Sequence, residues 1–188
     1  MKKISVLVFI IGVISLVSCT SEDQVYPKPL SGMKMNFPDK KYDLTVNGCH
    51  FSFTSPTYSK IDTSKGNCNL NINYHPFNAS LYLTYLKIDT GLINQIEYSR
   101  TLVYEHSIQA DAIEEKTIIN HKNRVFGTAY KLTGNSASNY QFYLTDSLNH
   151  FIRGALYINS KPNYDSLKPI IDYLITDFDQ IFNSLTWD

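Results

Sequence analysis

The chain has 188 residues, and 17 basic side chains balance 17 acidic ones. The length suits one domain, and the charge balance excludes a polyanion binder, which needs a basic excess or stripe. The aromatics are mostly tyrosine (14 Tyr, 10 Phe, 1 Trp), which suits half-buried sheet faces and wet contact surfaces alike.

Residues 1–18 read as a secretory signal peptide. Lys2 and Lys3 precede an apolar run from Ile4 to Ile14, and a small residue, Ser18, stands before the cut. The run is shorter than the roughly 20 residues a membrane-spanning helix needs. Leu16-Val17-Ser18-Cys19 resembles the lipobox of bacterial lipoproteins, in which the cysteine is acylated and becomes the mature N-terminus. Cys19 is therefore the expected lipidation site. Cleavage there leaves 170 residues with 15 basic and 17 acidic side chains, a formal charge of −2. Residues 19–41 read as the lipidated N-terminus and a flexible tether, with Pro27, Pro29, Gly32 and Pro38 and little apolar periodicity. A coil of ~20 residues spans about 25 Å.

Residues 42–188 read as one α+β domain. Tyr42, Leu44 and Val46 alternate with polar residues, as do Phe51 and Phe53, and Asn69–Tyr74 has a clean period of two. Ser80–Leu86 is the partner of that strand in an antiparallel hairpin. The period then changes to 3.6. Leu92, Ile96, Ser99, Val103, His106 and Ala110 share a stripe, which predicts a helix from about Thr90 to Ser107 with Asp89 or Thr90 as its cap. Four strands follow, at about Glu115–Asn120, Arg124–Leu132, Tyr140–Thr145 and His150–Asn159, and their short polar links predict antiparallel neighbours. Gly127 and Gly154 interrupt two of these strands, which predicts a bulge or a closely packed helix. The last helix is the clearest. Leu167, Ile170, Ile171, Leu174, Phe178, Ile181, Phe182 and Leu185 form its stripe, Asp165 or Ser166 caps it, and Pro169 falls in its first turn. The order predicts an antiparallel β-sheet of about six strands flanked by two main helices.

In an exported protein Cys49 and Cys68 are candidates for a disulfide. Two buried thiols are the alternative, and a metal pair lacks ligand spacing. The five histidines form no ligand motif, and the chain has no nucleophile elbow and no P-loop. Asp111, Glu114 and Glu115 form an acidic cluster, but Glu114 and Glu115 on one strand point to opposite faces and do not converge on one bond. No catalytic residue, metal, cofactor, nucleic-acid partner or small-molecule substrate is expected. Arg100, Glu105, His106 and Asp111 read either as a partner-facing patch or as an intramolecular charge set that orients the first helix. A glycan-binding module or hydrolase of envelope polysaccharide is the alternative function, motivated by the tyrosines and the acidic cluster.

Several blocks resemble one family, the gliding motility lipoprotein GldD of Bacteroidetes. They are Ser99-Arg100-Thr101-Leu102-Val103-Tyr104-Glu105-His106, Ala110-Asp111-Ala112-Ile113-Glu114-Glu115-Lys116, Gln141-Phe142-Tyr143-Leu144-Thr145-Asp146-Ser147 and His150-Phe151-Ile152-Arg153-Gly154-Ala155-Leu156-Tyr157. Pro162-Asn163, Asp165-Ser166-Leu167 and Pro169 complete the set, and Cys49 and Cys68 fit the pattern. The resemblance covers about Phe37 to Trp187. It implies an envelope lipoprotein required for gliding and associated with the type IX secretion machinery. The lipid anchor is expected in a membrane, the outer one rather than the inner, on the periplasmic side or the cell surface, and other gliding proteins are the expected partners. It supplies no catalytic residues. The element order also resembles the PsbP/Mog1 sandwich, which is a likeness of fold alone.

Overall fold

Alternation with a period of two sends successive side chains to opposite faces of a sheet, and in a computed structural model of the chain those faces are filled very differently. The structure describes residues 35–47, 50–64, 66–161 and 163–188, with the backbone alone at residues 106 and 107. The signal peptide, Cys19, residues 19–34 of the expected tether and Cys49 lie outside the described residues. The strands in chain order are β1 (Leu44–Asn47), β2 (Phe51–Ser55), β3 (Lys60–Asp62), β4 (Leu70–Tyr74) and β5 (Ala79–Lys87), then helix α1 (Leu92–Glu105). Next come β6 (Ala110–Asn120), β7 (Val125–Gly134), β8 (Tyr140–Thr145), β9 (His150–Ile158), helix α2 (Tyr164–Ser184) and β10 (Thr186–Trp187).

Seven strands form one antiparallel sheet in the order β3-β4-β5-β9-β8-β7-β6, and β1-β2-β10 form a second, smaller one. The four short-linked strands of the sequence reading are β6 to β9, adjacent and antiparallel as expected. The Asn69–Tyr74 repeat is β4, paired with β5. The inner face of the large sheet presents Ile72, Tyr74, Leu81, Phe142 and Leu144. These pack with Leu174, Phe178 and Phe182 of α2 and with Phe51 and Phe53 of the small sheet in one core. Each such side chain contributes roughly 1.5–3 kcal/mol when fully buried. On the outer face Val103 of α1 forms a smaller cluster with Tyr130 and Leu132.

Gly154 shows why a strand carries a glycine. A Cβ there would lie 2.2 Å from Cζ of Phe142, its cross-strand partner. The ring lies over the glycine and meets Phe182 of α2 edge-on, with centroids 4.8 Å apart. What crowds the position is thus an aromatic ring, rather than a bulge or the helix itself. At Gly127 the backbone of β8 takes the space, with Tyr143 O 1.9 Å from where a Cβ would be.

Four details differ from the sequence reading. The sheets hold seven and three strands rather than about six, because β3 and β10, of three and two residues, are too short to show a period. Helix α1 ends at Glu105 in a 3-10 turn over His106–Gln109, and β6 already begins at Ala110. Ala110, placed by its spacing on the helical stripe, instead pairs with Gly134 across a bulge. Finally, α2 starts two or three residues early. Asn163 is its cap, accepting from Ser166 N at 3.4 Å, so Asp165 and Ser166 lie within the first turn and Pro169 is the sixth helical residue.

Candidate functional site

The charged residues singled out in the sequence divide between two places. Arg100 lies on the exposed side of α1 with its guanidinium 5.7 Å from the Tyr104 ring centroid. Tyr104 Oη donates to Glu115 Oε1 at 3.2 Å, which ties α1 to β6. Hydrogen bonding and charge from Tyr104, then the charges of Glu115 and Glu97, hold the Arg100 pKa above its ordinary value. Glu105 is exposed at the end of the helix, and the side chain of His106 is outside the description. Asp111 is also exposed but lies four residues along β6 from Glu115, where its Oδ2 is 3.0 Å from the space beside Gly134. Arg100 is therefore gathered with Tyr104 and Glu115, not with Asp111.

The paired carboxylates separate as strand geometry requires. Glu115 pairs with Tyr130 on the outer face, and Glu114 pairs with Lys131, which reaches Asp172 of α2 at 2.7 Å on the inner face. Asp172 also binds Lys168. Burial raises its pKa, but the two lysines outweigh this and hold the carboxyl below its usual range.

Asp177 is a functional-looking residue that the sequence reading passed over. It is fully buried in the apolar stripe of α2. Its Oδ1 accepts from Lys40 Nζ at 2.6 Å and from Tyr42 Oη at 2.8 Å, and its Oδ2 accepts from Tyr58 Oη. Burial first, and then the bond to Asp177, push both phenols well above the ordinary tyrosine range. Lys40 also donates to Tyr173 O at 2.7 Å and lies 3.8 Å above the Tyr173 ring, on which Phe37 stacks at 4.6 Å. Residues 35–41, assigned to the tether by composition, are thus laid along α2. A carboxylate that accepts from three donors holds chain segments together, with three of its roughly four lone-pair sites engaged. The sequence signal was a charge at i+3 from Leu174 and i−4 from Ile181.

Tertiary structure also pairs histidines that are 100 residues apart. The rings of His50 and His150 lie 6.1 Å apart, both against Tyr85, whose Oη is 2.8 Å from His150 Nδ1. Trp187 stacks on His150 at 5.3 Å and donates to Arg124 O. Asp146 accepts the backbone N–H groups of Leu148, Asn149 and His150, each at 2.9 Å. Burial raises its pKa, and these bonds more than offset that and lower it. Among the described residues no three His, Cys, Asp or Glu side chains are grouped to hold a metal.

The outer face of the large sheet is only partly covered by α1. Beyond the helix, β4, β5 and β9 form an open groove of about 810 Å³. Tyr82, Tyr157, Asn73, Asn159, Thr84 and Arg153 line it. Tyr82 is 44% exposed and meets Tyr157 edge-on at 5.5 Å. Even spacing along a strand keeps side chains on one face, which sets Tyr82 with Thr84 on β5 and Arg153 with Tyr157 on β9, but which part of that face stays open depends on where α1 lies.

Among the described residues, fold and site define an α+β domain of two antiparallel sheets and two helices. The family model described as gliding motility lipoprotein GldD matches residues 22–187, and the chain belongs to this family. It is thus a gliding motility lipoprotein, of a family anchored in the cell envelope. The match begins well before Phe37, where the resemblance read from the sequence starts. No curated protein matches the chain. Among the described residues no helix is long and apolar enough to cross a membrane.

Proposed function

We propose that the protein is a lipid-anchored structural or assembly component of the gliding apparatus, working with the type IX secretion machinery by contact rather than catalysis. The observation that carries this reading is the family match over residues 22–187. In it, residues 1–18 are a signal peptide, Cys19 carries the lipid, residues 20–34 form the tether, and the domain begins with the strap at residues 35–41. The anchor is assigned to the outer membrane. Lipid chains contribute about 0.8 kcal/mol per buried CH₂, and two or more hold stably. The contact surface is assigned to the exposed side of α1 and its exit, with Arg100, Glu105, His106 and Asp111. Support comes from Ile93 and Tyr104, exposed apolar residues that share the helix face of Arg100 at i, i+7 and i+11 spacing. The hydrolase alternative is disfavoured by Glu114 and Glu115 facing opposite sides of the sheet.

Cys19→Ala tests the anchor. The variant is expected to leave the membrane fraction and to abolish gliding. Normal gliding by cells whose Cys19→Ala protein is soluble and present at ordinary levels would refute the reading.

A further inference from the structure

We propose that the open groove over β4, β5 and β9 binds a saccharide carrying a carboxylate, of the uronic-acid type. Its volume of about 810 Å³ falls in the range of small-ligand sites, roughly 300–1,000 Å³. The lining combines two tyrosines with amides. An exposed tyrosine presents a flat apolar face ending in a hydroxyl, which suits the C–H face of a pyranose ring, and Tyr82 is exposed in this way. Asn73 and Asn159 offer both donors and acceptors to sugar hydroxyls.

Charge selects the acid. Arg153 projects from β9 into this lining, where its Nη2 donates to the neutral Gln141 Oε1 at 2.7 Å. Gln141 is itself buried with its Nε2 lacking a partner. Among the described residues no carboxylate forms an ion pair with Arg153. Burial lowers the guanidinium pKa, with a smaller opposing effect of Tyr157 and Tyr98. A partly desolvated guanidinium without a counter-ion is matched by a planar carboxylate, which takes two parallel N–H bonds. The lining contains no lysine and no second arginine, so one negative charge suits it better than a phosphate dianion. Among the described lining residues there is no Asp or Glu either, so the groove lacks the carboxylate pair that cleaves a glycosidic bond, and His75 is its imidazole. The inference stands apart from the gliding role and needs no partner protein.

The test is calorimetric titration of the detergent-solubilised full-length lipoprotein with trimers of galacturonate, glucuronate and mannuronate. The methyl esters of the same trimers and inorganic phosphate serve as controls. At least one acid trimer is expected to bind about tenfold more tightly than its ester, the difference a charged hydrogen-bond pair supplies. Tyr82→Ala, at an exposed position, is expected to weaken binding by about tenfold with an unchanged melting curve. Arg153→Gln is expected to remove the preference for acid over ester. The proposal is overturned if no acid trimer binds at about 10 mM, or if the ester binds as well as the acid. It is equally overturned if phosphate competes at equal concentration, which marks a plain anion site, or if folded Tyr82→Ala binds like the wild type.

Discussion

Asp177 is a single charge in the middle of an apolar helix face, and it survives there because three donors from distant segments meet it. A buried carboxylate left unpaired costs several kcal/mol, so the site depends on all its partners. Removing the acid leaves Lys40 and two half-buried phenols without their acceptor. Asp177→Ala is expected to cost about 3–5 kcal/mol in urea unfolding. A loss below about 1 kcal/mol would show that water replaces the carboxylate and that residues 35–41 are held by ring stacking instead. The charge on the stripe was legible in the sequence. Its partners were not, because Lys40, Tyr42 and Tyr58 are more than 100 residues away in the chain.

At the scale of elements, legibility followed length and amphipathicity. The α2 stripe, of more than five turns, and the β8 strand stand where periodicity put them. Boundaries failed where a non-local partner captured the backbone. Ala110 continues the α1 period, yet pairing with Gly134 satisfies its backbone better than another helical turn. Asn163 begins α2 early because its side chain reaches Ser166 N while Asn135 Oδ1 takes Tyr164 N at 3.0 Å. For α1, charges that serve the fold and charges that serve a partner give different outcomes on substitution. If the exposed face with Arg100 meets the gliding machinery, Arg100→Glu leaves the melting temperature unchanged and removes crosslinks formed in intact cells. A lower melting temperature with crosslinks retained would assign Arg100 to the Tyr104–Glu115 contact that ties α1 to β6.

At the scale of the molecule, the two sheets must be held in register with each other, and the disulfide between Cys49 and Cys68 is proposed to help. The neighbour of Cys68, Asn69, accepts from Tyr85 N at 2.9 Å, and the neighbour of Cys49, His50, packs on the Tyr85 ring. Both cysteines therefore flank residues that meet at Tyr85. Asn67 and Cys68 also hold positive φ, of 51° and 64°, a conformation that costs roughly 1–2 kcal/mol per residue and needs outside support. Closing a loop of ~20 residues stabilises by about 3 kcal/mol in the chain-entropy model. Reduction is expected to lower stability by about that amount, and diagonal electrophoresis of the mature protein to shift one intramolecular bridge. Two alkylatable thiols in the unreduced protein would end the idea.

By itself the sequence determined the class of fold, the antiparallel order of β6 to β9, the two amphipathic helices, and the blocks that announce the family. All of these are local patterns, written within a few residues or a few turns. Only the tertiary structure decided that residues 35–41 strap onto α2 through Asp177, that His50 and His150 share Tyr85, and that α1 leaves the Tyr82–Arg153 groove open. Those outcomes depend on which side chains meet across the chain, and that is set by packing two sheets and two helices against one core, which no local period encodes.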